Sequence, residues 1–192
     1  MKKRIGSLFL VLALCLSLMP MTVLAEDATA WDGSVATAFA GGTGTESDPY
    51  QIADGAQLAY LANEVNKGQT YENSYFVMTA DIDLGNKNWD PIGYSGDYGF
   101  YFAGNYDGGG YTISNAKSTG KNDVGGYATA GIFGWVRKGS VSNLTVKNAD
   151  FLATGDNNMS YVGGVLAVAD NCTVENCSVY NSKIESRRNP NE

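Results

Sequence analysis

The sequence predicts an all-β fold, a right-handed parallel β-helix (β-solenoid) with one short N-terminal capping helix. A segment of 21 residues recurs 33 residues later in the chain. The recurring unit is rich in Val, Thr, Ser, Asn and Gly, which are poor helix formers. Helical periodicity is clear in one separate stretch, residues 54–67. Because a strand unit of this kind cannot bury its apolar face alone, its copies must stack on one another.

Residues 1–25 have the layout of a secretory signal peptide. A basic start at residues 2–4 precedes an apolar run at 8–19, and small residues precede a cleavage site after Ala25. The apolar run is shorter than the ~20 residues that cross a bilayer, which disfavours a membrane anchor. We therefore expect an exported protein, secreted or at the cell surface, with no membrane span after cleavage.

The composition excludes several classes of function. The chain has 13 Lys and Arg, 20 Asp and Glu and no His, for a net charge of −7. Removal of residues 1–25 takes three basic residues and no acidic one, which leaves −10. Nucleic-acid binding needs clustered basic residues, so we expect no such partner. The lack of His excludes Ser-His-Asp and Cys-His catalysis and removes the commonest metal ligand.

One capping helix is predicted at residues 54–67, where it covers a core and carries no chemistry. Asp54 and Gln57 have the spacing of a capping box, and Gly68 suits a left-handed C-terminal residue. The apolar residues of this segment fall on one helical face, namely Leu58, Leu61, Ala62 and Val65.

The rest of the mature chain divides into two parts. Residues 26–49 are small and polar and form an extended N-terminal segment, whereas 50–192 form the β-helix domain. Residues 75–84 alternate between apolar and polar side chains, which predicts one strand with a buried side. Residues 85–111 are rich in Gly, Asn, Asp and Tyr and are expected to form a loop.

The repeat lies near residues 131–151 and 164–184. The two copies align without a gap, and five of 21 pairs are identical: Gly131/Gly164, Val141/Val174, Asn143/Asn176, Val146/Val179 and Asn148/Asn181. We expect each coil to take about one period. A fainter copy at 112–115 aligns with 140–143. The alternative is a β-sandwich with accidental self-similarity.

Stacking places equivalent residues of the repeat directly above one another. Asn143 would lie over Asn176 and Asn148 over Asn181, forming a structural ladder of hydrogen-bonded amides. The paired glycines of the repeat, Gly131 and Gly164, are expected at sharp corners that need unusual backbone angles.

The same segments resemble the GLUG repeat of bacterial surface proteins. The resemblance rests on Gly131-Ile132-Phe133-Gly134-Trp135-Val136 with Val141-Ser142-Asn143-Leu144-Thr145-Val146, and on Tyr161-Val162-Gly163-Gly164-Val165-Leu166-Ala167. It implies a β-helix module of the kind found in large secreted adhesins and beside an immunoglobulin-A-cleaving metalloprotease domain. The zinc motif of that protease needs His, so the resemblance implies the repeat module without the peptidase.

A cluster of aromatic residues at 94–111 is a candidate binding surface. Tyr94, Tyr98, Tyr101 and Tyr106 could stack on sugar rings or anchor a protein partner. The structural alternative is that the phenylalanines of this stretch face inward while the tyrosines cover the solenoid flank.

Asp81 and Asp83 are weak candidates for a metal site or a catalytic site. Two residues apart on a strand, they would point to one face, where they could form a calcium pair or a catalytic pair. They lack the spacing of a calcium loop, so solvent-facing acids are the preferred interpretation. We expect no catalytic residue, no cofactor and no metal beyond a weak calcium site.

Two cysteines, Cys172 and Cys177, fall in the second copy. Extended chain would hold them ~16 Å apart, so two reduced thiols are favoured over a disulfide. The last coil needs a polar cap or a neighbour. Three alternatives stay open: the short polar tail caps it, another chain or a further domain covers it, or the sequence belongs to a longer protein.

Together these features predict an exported bacterial, adhesin-like interaction module. It would bind a glycan or a host or surface protein through a β-helix flank, without catalysis. The alternatives are a polysaccharide-active β-helix enzyme, either a lyase or a glycoside hydrolase, and a purely structural stalk.

Overall fold

The computed structural model describes residues 29–122, 126–155 and 159–188, and the predicted signal peptide lies outside them. The regular elements of the described chain are strands, apart from one short helix. Successive passes of the chain lie side by side and pair in parallel, which confirms the predicted β-solenoid.

The strands are short because each spans one wall of the solenoid. The early passes contain β1 (Tyr50–Ile52), β2 (Tyr75–Met78), β3 (Ile82–Asp83), β4 (Asn105–Asp107), β5 (Thr112–Ser114), β6 (Lys117–Ser118) and β7 (Lys121–Asn122). The next pass contains β8 (Ala128–Ala130), β9 (Phe133–Arg137), β10 (Ser140–Ser142), β11 (Thr145–Lys147) and β12 (Asp150–Gly155). The last described pass contains β13 (Ser160–Val162), β14 (Leu166–Asp170), β15 (Thr173–Glu175), β16 (Ser178–Tyr180) and β17 (Lys183–Arg188).

The walls are sheets that take one strand from each pass. The first sheet has the order β1-β2-β4-β10-β15, and the second has the order β3-β5-β11-β16. The others are β6-β12-β17, β7-β8-β13 and β9-β14. Among the described strand pairs, all are parallel except β7 with β8. Parallel pairing between successive passes excludes the β-sandwich alternative, because sandwiches of that kind are antiparallel.

The 33-residue shift corresponds to one pass of the solenoid. In adjacent passes, Ser140 pairs with Thr173, Thr145 with Ser178 and Asp150 with Lys183. The fainter copy was assigned the wrong register, because Thr112 pairs with Thr145 and not with Ser140. The pass at 140–148 contains two similar four-residue segments, one ending at Asn143 and one at Asn148. Residues 112–115 resemble the first in sequence but pair with the second.

Asparagines in the left-handed conformation form the corners between walls. Their φ angles lie between 50° and 55°, at Asn115, Asn143, Asn148, Asn176 and Asn181. Asparagine tolerates this conformation better than most residues. As predicted, Gly131 and Gly164 lie at bends between walls, one between β8 and β9 and the other between β13 and β14. The two do not share an unusual backbone angle, because only Gly131 of the pair has a positive φ, 159°. Both are also sites of close packing: a Cβ on Gly164 would lie 2.6 Å from Val179 Cγ2, and one on Gly131 would lie 2.7 Å from the Gly163 oxygen.

The first asparagine ladder begins at an aspartate. Asn176 Nδ2 donates to Asn143 Oδ1 at 3.2 Å, and Asn143 Nδ2 donates to Asp107 Oδ1 at 2.9 Å. Asp107 Oδ1 also accepts from the Gly109 amide at 2.8 Å. The ladder therefore ties three successive passes together at one corner.

The second ladder has the same construction at the next corner. Asn148 Nδ2 donates to Asn115 Oδ1 at 3.3 Å, and Asn115 Nδ2 donates to Asp83 Oδ1 at 2.8 Å. Within the described residues, Asn181 repeats the backbone conformation without a side-chain bond to Asn148. Hydrogen bonds of this kind satisfy the polar groups that left-handed corners present.

The strand predicted over residues 75–84 is wrong in one respect. The chain forms β2, turns after Met78 and resumes as β3 at Ile82, and the two strands belong to different sheets. The turn lets Phe76, Met78 and Ile82 all point into the core. A solenoid wall is only a few residues wide, so an alternating segment of ten residues must bend around a corner.

Helix α1 (Gly55–Val65) is two residues shorter than predicted at its C-terminal end. Asp54 caps it by accepting from the Gln57 amide at 2.8 Å, and Gln57 Oε1 accepts from the Ala53 amide at 2.8 Å. Gly68 has a φ of 101°. The predicted apolar face is buried in the solenoid core, as Leu58, Leu61, Ala62 and Val65.

Aromatic rings from successive passes form a column in the core. The ring centroids of Phe76 and Phe102 are 5.6 Å apart, and those of Phe102 and Phe133 are 5.4 Å apart. Tyr106 packs edge-on against Phe133 at 5.1 Å. Such contacts add to the burial energy of large rings and fix their positions.

The last described pass exposes side chains that the pass before it buries. Val141 is fully buried, whereas its sheet partner Val174 is 44% exposed. Cys172 and Cys177 are free thiols, as the favoured alternative predicted. Burial raises the pKa of both thiols, so each stays protonated to higher pH than a free cysteine.

This difference in burial leads to a stability prediction. We expect Val141→Ala to lower the free energy of unfolding by about 2 kcal/mol, because it removes two methyl groups and leaves a cavity between passes. Val174→Ala, the matched control, should cost less than half as much. Urea unfolding of both variants measures this, and equal losses would contradict the stacked core.

Candidate functional site

Residues 94–101 form a short hairpin on one flank, called here the tyrosine hairpin. The Tyr94 and Ser95 amides donate to the Phe100 oxygen at 2.8 and 3.1 Å, and the Phe100 amide donates to the Ser95 oxygen at 3.0 Å. Gly99 takes a φ of 80° beside open space, which suits a turn. The hairpin thus brings together three of the four predicted tyrosines.

The residues on either side of the hairpin, Ile92 and Phe102, are hydrogen-bonded to β9 and to the residue before it. The Ile92 amide donates to the Ile132 oxygen and the Gly134 amide to the Ile92 oxygen, each at 3.0 Å. On the other stem, the Phe102 amide donates to the Trp135 oxygen at 2.9 Å. The hairpin is therefore an outgrowth of a rigid wall, in contrast with the plain loop predicted for residues 85–111.

The first tyrosine of the hairpin is held between a ring and a cation. Tyr94 stacks on Phe100 with centroids 5.0 Å apart and planes 11° apart. Lys121 Nζ lies 5.1 Å from the Tyr94 centroid and forms an ion pair of 2.6 Å with Asp90. A cation at this distance is attracted by the ring face.

The second tyrosine lies over Arg137. The Arg137 Cζ is 4.7 Å from the Tyr101 centroid, and Nη1 donates to the Gly96 oxygen at 3.0 Å. Nε donates to Asp170 Oδ2 at 2.6 Å, and this bond raises the pKa of Arg137. One guanidinium thus joins the hairpin, β9 and the neighbouring strand β14.

Trp135 is the floor beneath the hairpin. A Cβ on Gly96 would lie 2.4 Å from Trp135 Cε2, so only glycine allows this approach. Tyr161 meets the indole edge-on at 6.1 Å. The indole Nε1 is buried without a hydrogen-bond partner in the part of the chain that the structure describes.

The third tyrosine is the accessible one. Tyr98 is 49% exposed at the end of the hairpin, whereas Tyr94 and Tyr101 are half-buried. The supporting cations are neutralised by Asp90 and Asp170. Asp97, next to Tyr98 in the hairpin, is exposed as well. The hairpin therefore presents aromatic surface and one carboxylate, on a support whose cations are already paired.

The placement of Tyr106 at the binding surface is wrong. Tyr106 is 1% exposed, because it is the inward residue of β4 and pairs with Val141 and Phe76. Burial raises the pKa of its hydroxyl. Its ring contributes to the core and cannot contact a ligand.

Asp81 and Asp83 lie on the outward side of the second sheet, in a groove of about 420 Å³ that includes Lys147. Asp81 Oδ1 accepts from the Thr112 amide at 2.7 Å. Asp83 Oδ1 accepts from the Gly85 amide and from Asn115 Nδ2, both at 2.8 Å. Asp81 is thus bonded to the backbone of the next pass, and Asp83 to a backbone amide and to the second asparagine ladder. The described residues contain no group of three or more acidic or cysteine side chains placed to hold a metal ion.

Sequence reasoning missed three residues that build the flank: Arg137, Trp135 and Tyr161. Alternation along β9 could have placed Trp135 and Arg137 on the outer face. No local pattern could have shown that the hairpin packs on them, since the contact joins segments about 40 residues apart.

The chain is similar to parts of two much longer proteins. It is 34% identical over 143 residues to "Halomucin" from Haloquadratum walsbyi, which covers 69% of this chain and 2% of that protein. It is 32% identical over 142 residues to a "Putative Gly-rich membrane protein" from Evansella cellulosilytica, which covers 71% of this chain and 16% of that protein. The chain therefore spans a small part of these relatives.

Comparison with solved structures supports the fold alone. A crystal structure of a "putative immunoglobulin A1 protease" from Bacteroides ovatus matches with a TM-score of 0.53 and 20% identity, over 78% of this chain and 52% of that chain. No family model matches, so the GLUG resemblance stays a prediction. In residues 29–122, 126–155 and 159–188, no helix has the length and apolar character to span a membrane.

The role of Arg137 can be tested by hydrogen exchange. We expect Arg137→Ala to speed exchange of the Ser95 and Phe100 amides at least about tenfold, because it removes a charged hydrogen bond and a cation beneath Tyr101. Lys147→Ala removes a cation over Tyr180 on another flank and is the matched control. Unchanged exchange at the hairpin in Arg137→Ala would show that the guanidinium does not hold it.

Proposed function

We propose that the chain is a non-catalytic interaction module of an exported, surface-associated protein, and that the tyrosine hairpin binds a neutral glycan. The observation that carries this proposal is the accessible Tyr98 ring on a hairpin that Trp135 and Arg137 hold in place. A ligand that stacks on this ring binds a surface that is already ordered, so little ordering entropy is lost on binding.

The size and charge of the hairpin favour a glycan over a protein. A stable protein interface buries about 800 Å² on each partner, which is more than one accessible tyrosine and its neighbours offer. The cations beneath the rings are paired with Asp90 and Asp170, so they do not call for an anionic partner. The apolar face of a sugar ring matches an aromatic face of this kind.

Export and surface location rest on separate support. The signal peptide of residues 1–25 is a sequence prediction. The names of the two relatives, a halomucin and a Gly-rich membrane protein, fit a module of a surface protein. The GLUG resemblance at residues 131–151 and 164–184 points to the same adhesin-like role.

A polysaccharide-active enzyme is the second candidate. The observation in its favour is the groove on the second sheet, which brings Asp81 and Asp83 to one face with Lys147. Glycosidases need one carboxyl group free to donate a proton and another free to attack or activate water. Both aspartates are held through Oδ1 by hydrogen bonds from the backbone or the ladder, which gives each a structural role, so the groove is the weaker candidate.

A glycan array tests the proposal. We expect the exported protein to bind one or more neutral glycans, and Tyr98→Ala to weaken that binding about tenfold through loss of ring stacking. Tyr111→Ala is the matched control, since Tyr111 is 37% exposed outside the hairpin.

Two results would contradict the proposal. One is equal loss of binding in the two tyrosine variants, because a hairpin site cannot depend on Tyr111. The other is release of reducing sugar from the bound glycans that is lost in Asp81→Asn, which would favour the enzyme.

A further inference from the structure

A cleft of about 370 Å³ opens beside helix α1, and Lys121 at its edge also lies over the Tyr94 ring of the tyrosine hairpin. It lies between residues 31–35, the side of α1 that carries Ala59, Ala62 and Asn63, and the loop at 88–90, with Lys121 at its edge. Its volume falls in the range of about 300–1,000 Å³ that is typical of small-molecule sites. Three separate segments must be folded for it to exist.

The floor of the cleft is apolar and is formed by two indoles and two alanines. Trp31 and Trp89 meet edge-to-face, with centroids 5.8 Å apart. The small side chains of Ala59 and Ala62 on α1 leave a hollow beside them. Such a floor excludes water and suits a methyl group or the apolar face of a ring.

Both indoles are fixed before any ligand arrives. Trp89 Nε1 donates to the Ile132 oxygen at 3.1 Å, and Trp31 Nε1 donates to the Ser34 oxygen at 2.7 Å. The Trp31 amide donates to the Asp83 oxygen at 2.7 Å. A Cβ on Gly55 would lie 2.6 Å from Trp31 Cβ, so this residue rests directly on the start of the helix.

In the part of the chain that the structure describes, the rim of the cleft offers amides and one neutralised ion pair. Asn63 and Asn88 are exposed, and their side chains make no hydrogen bond within the described ranges. Asp90 and Lys121 neutralise one another in an ion pair of 2.6 Å. The amide of Asn66 is already used by the Pro91 oxygen and the Gly93 amide.

From this arrangement we infer that the cleft binds one 2-acetamido sugar residue. The acetamido methyl packs against the indoles and alanines, while the sugar amide and hydroxyls bond to Asn63 and Asn88. A uronic acid is disfavoured because, among the described residues, the charged groups at the rim are paired with each other and leave no free cation for its carboxylate. The cleft shares the Asp90–Lys121 ion pair with the tyrosine hairpin but not Tyr98, so this inference does not depend on the function proposed for the hairpin.

Calorimetric titration with N-acetylglucosamine tests this inference. We expect binding that is at least tenfold tighter than for glucose, which lacks the acetamido group, and than for glucuronic acid. Di-N-acetylchitobiose is the second probe: tighter binding than the monosaccharide identifies the end of a glycan as the ligand, and equal binding identifies the free sugar.

Variants locate the binding. Asn63→Ala should weaken N-acetylglucosamine about fivefold, as expected for one lost hydrogen bond. Alanine favours helix, so the variant should fold, and its thermal unfolding can be compared with that of the parent protein. Lys67→Ala is the control, because Lys67 is exposed near the end of the same helix, pairs with Glu64 and lies outside the cleft.

Three results would overturn the inference. They are the absence of binding to N-acetylglucosamine, equal affinity for glucose, and equal affinity of Asn63→Ala and the parent protein. Tyr98→Ala should leave N-acetylglucosamine binding in the cleft unchanged, and Asn63→Ala should leave glycan binding at the hairpin unchanged. Failure at one site is thereby distinguished from failure at the other.

Discussion

The structure depends on the burial of each pass of the chain by the next. A single pass is a ring of short strands with one apolar residue or two per wall, and it has no core of its own. Parallel hydrogen bonds set neighbouring passes ~4.8 Å apart, which brings inward side chains into contact. The column of Phe76, Phe102 and Phe133 and the full burial of Val141 follow from this spacing.

The same constraint explains the corners and the position of the functional surfaces. A wall of a few residues must end in a sharp turn, and left-handed asparagines provide it while their amides bond along the stack. Loops between walls then leave the solenoid at defined heights. The tyrosine hairpin is one such loop, and it is held by β9 of one pass and, through Asp170, by β14 of the next. The candidate site is thus assembled from three passes of the chain.

The sequence predicted those features that repeat and failed where a contact occurs once. The 33-residue shift predicted the parallel fold, because equivalent residues of a repeat stack on one another. The capping spacing of Asp54 and Gln57 predicted where the helix begins. Tyr106 was misplaced because its strand lies in a stretch of Gly, Asn and Asp that resembles a loop. Trp135 and Arg137 were missed as supports because their contact with the hairpin is made once, between distant segments.

The most direct measurement is a disulfide between adjacent passes. Thr145 and Ser178 face outward in register, with their hydroxyl oxygens 3.0 Å apart, in the range from which cysteines can bond. With the native cysteines replaced by serine, we expect Thr145→Cys/Ser178→Cys to form an intramolecular disulfide on mild oxidation. Thr112→Cys/Ser178→Cys, two passes apart, should not. A disulfide in the second pair with none in the first would contradict the stacking on which the fold and both sites depend.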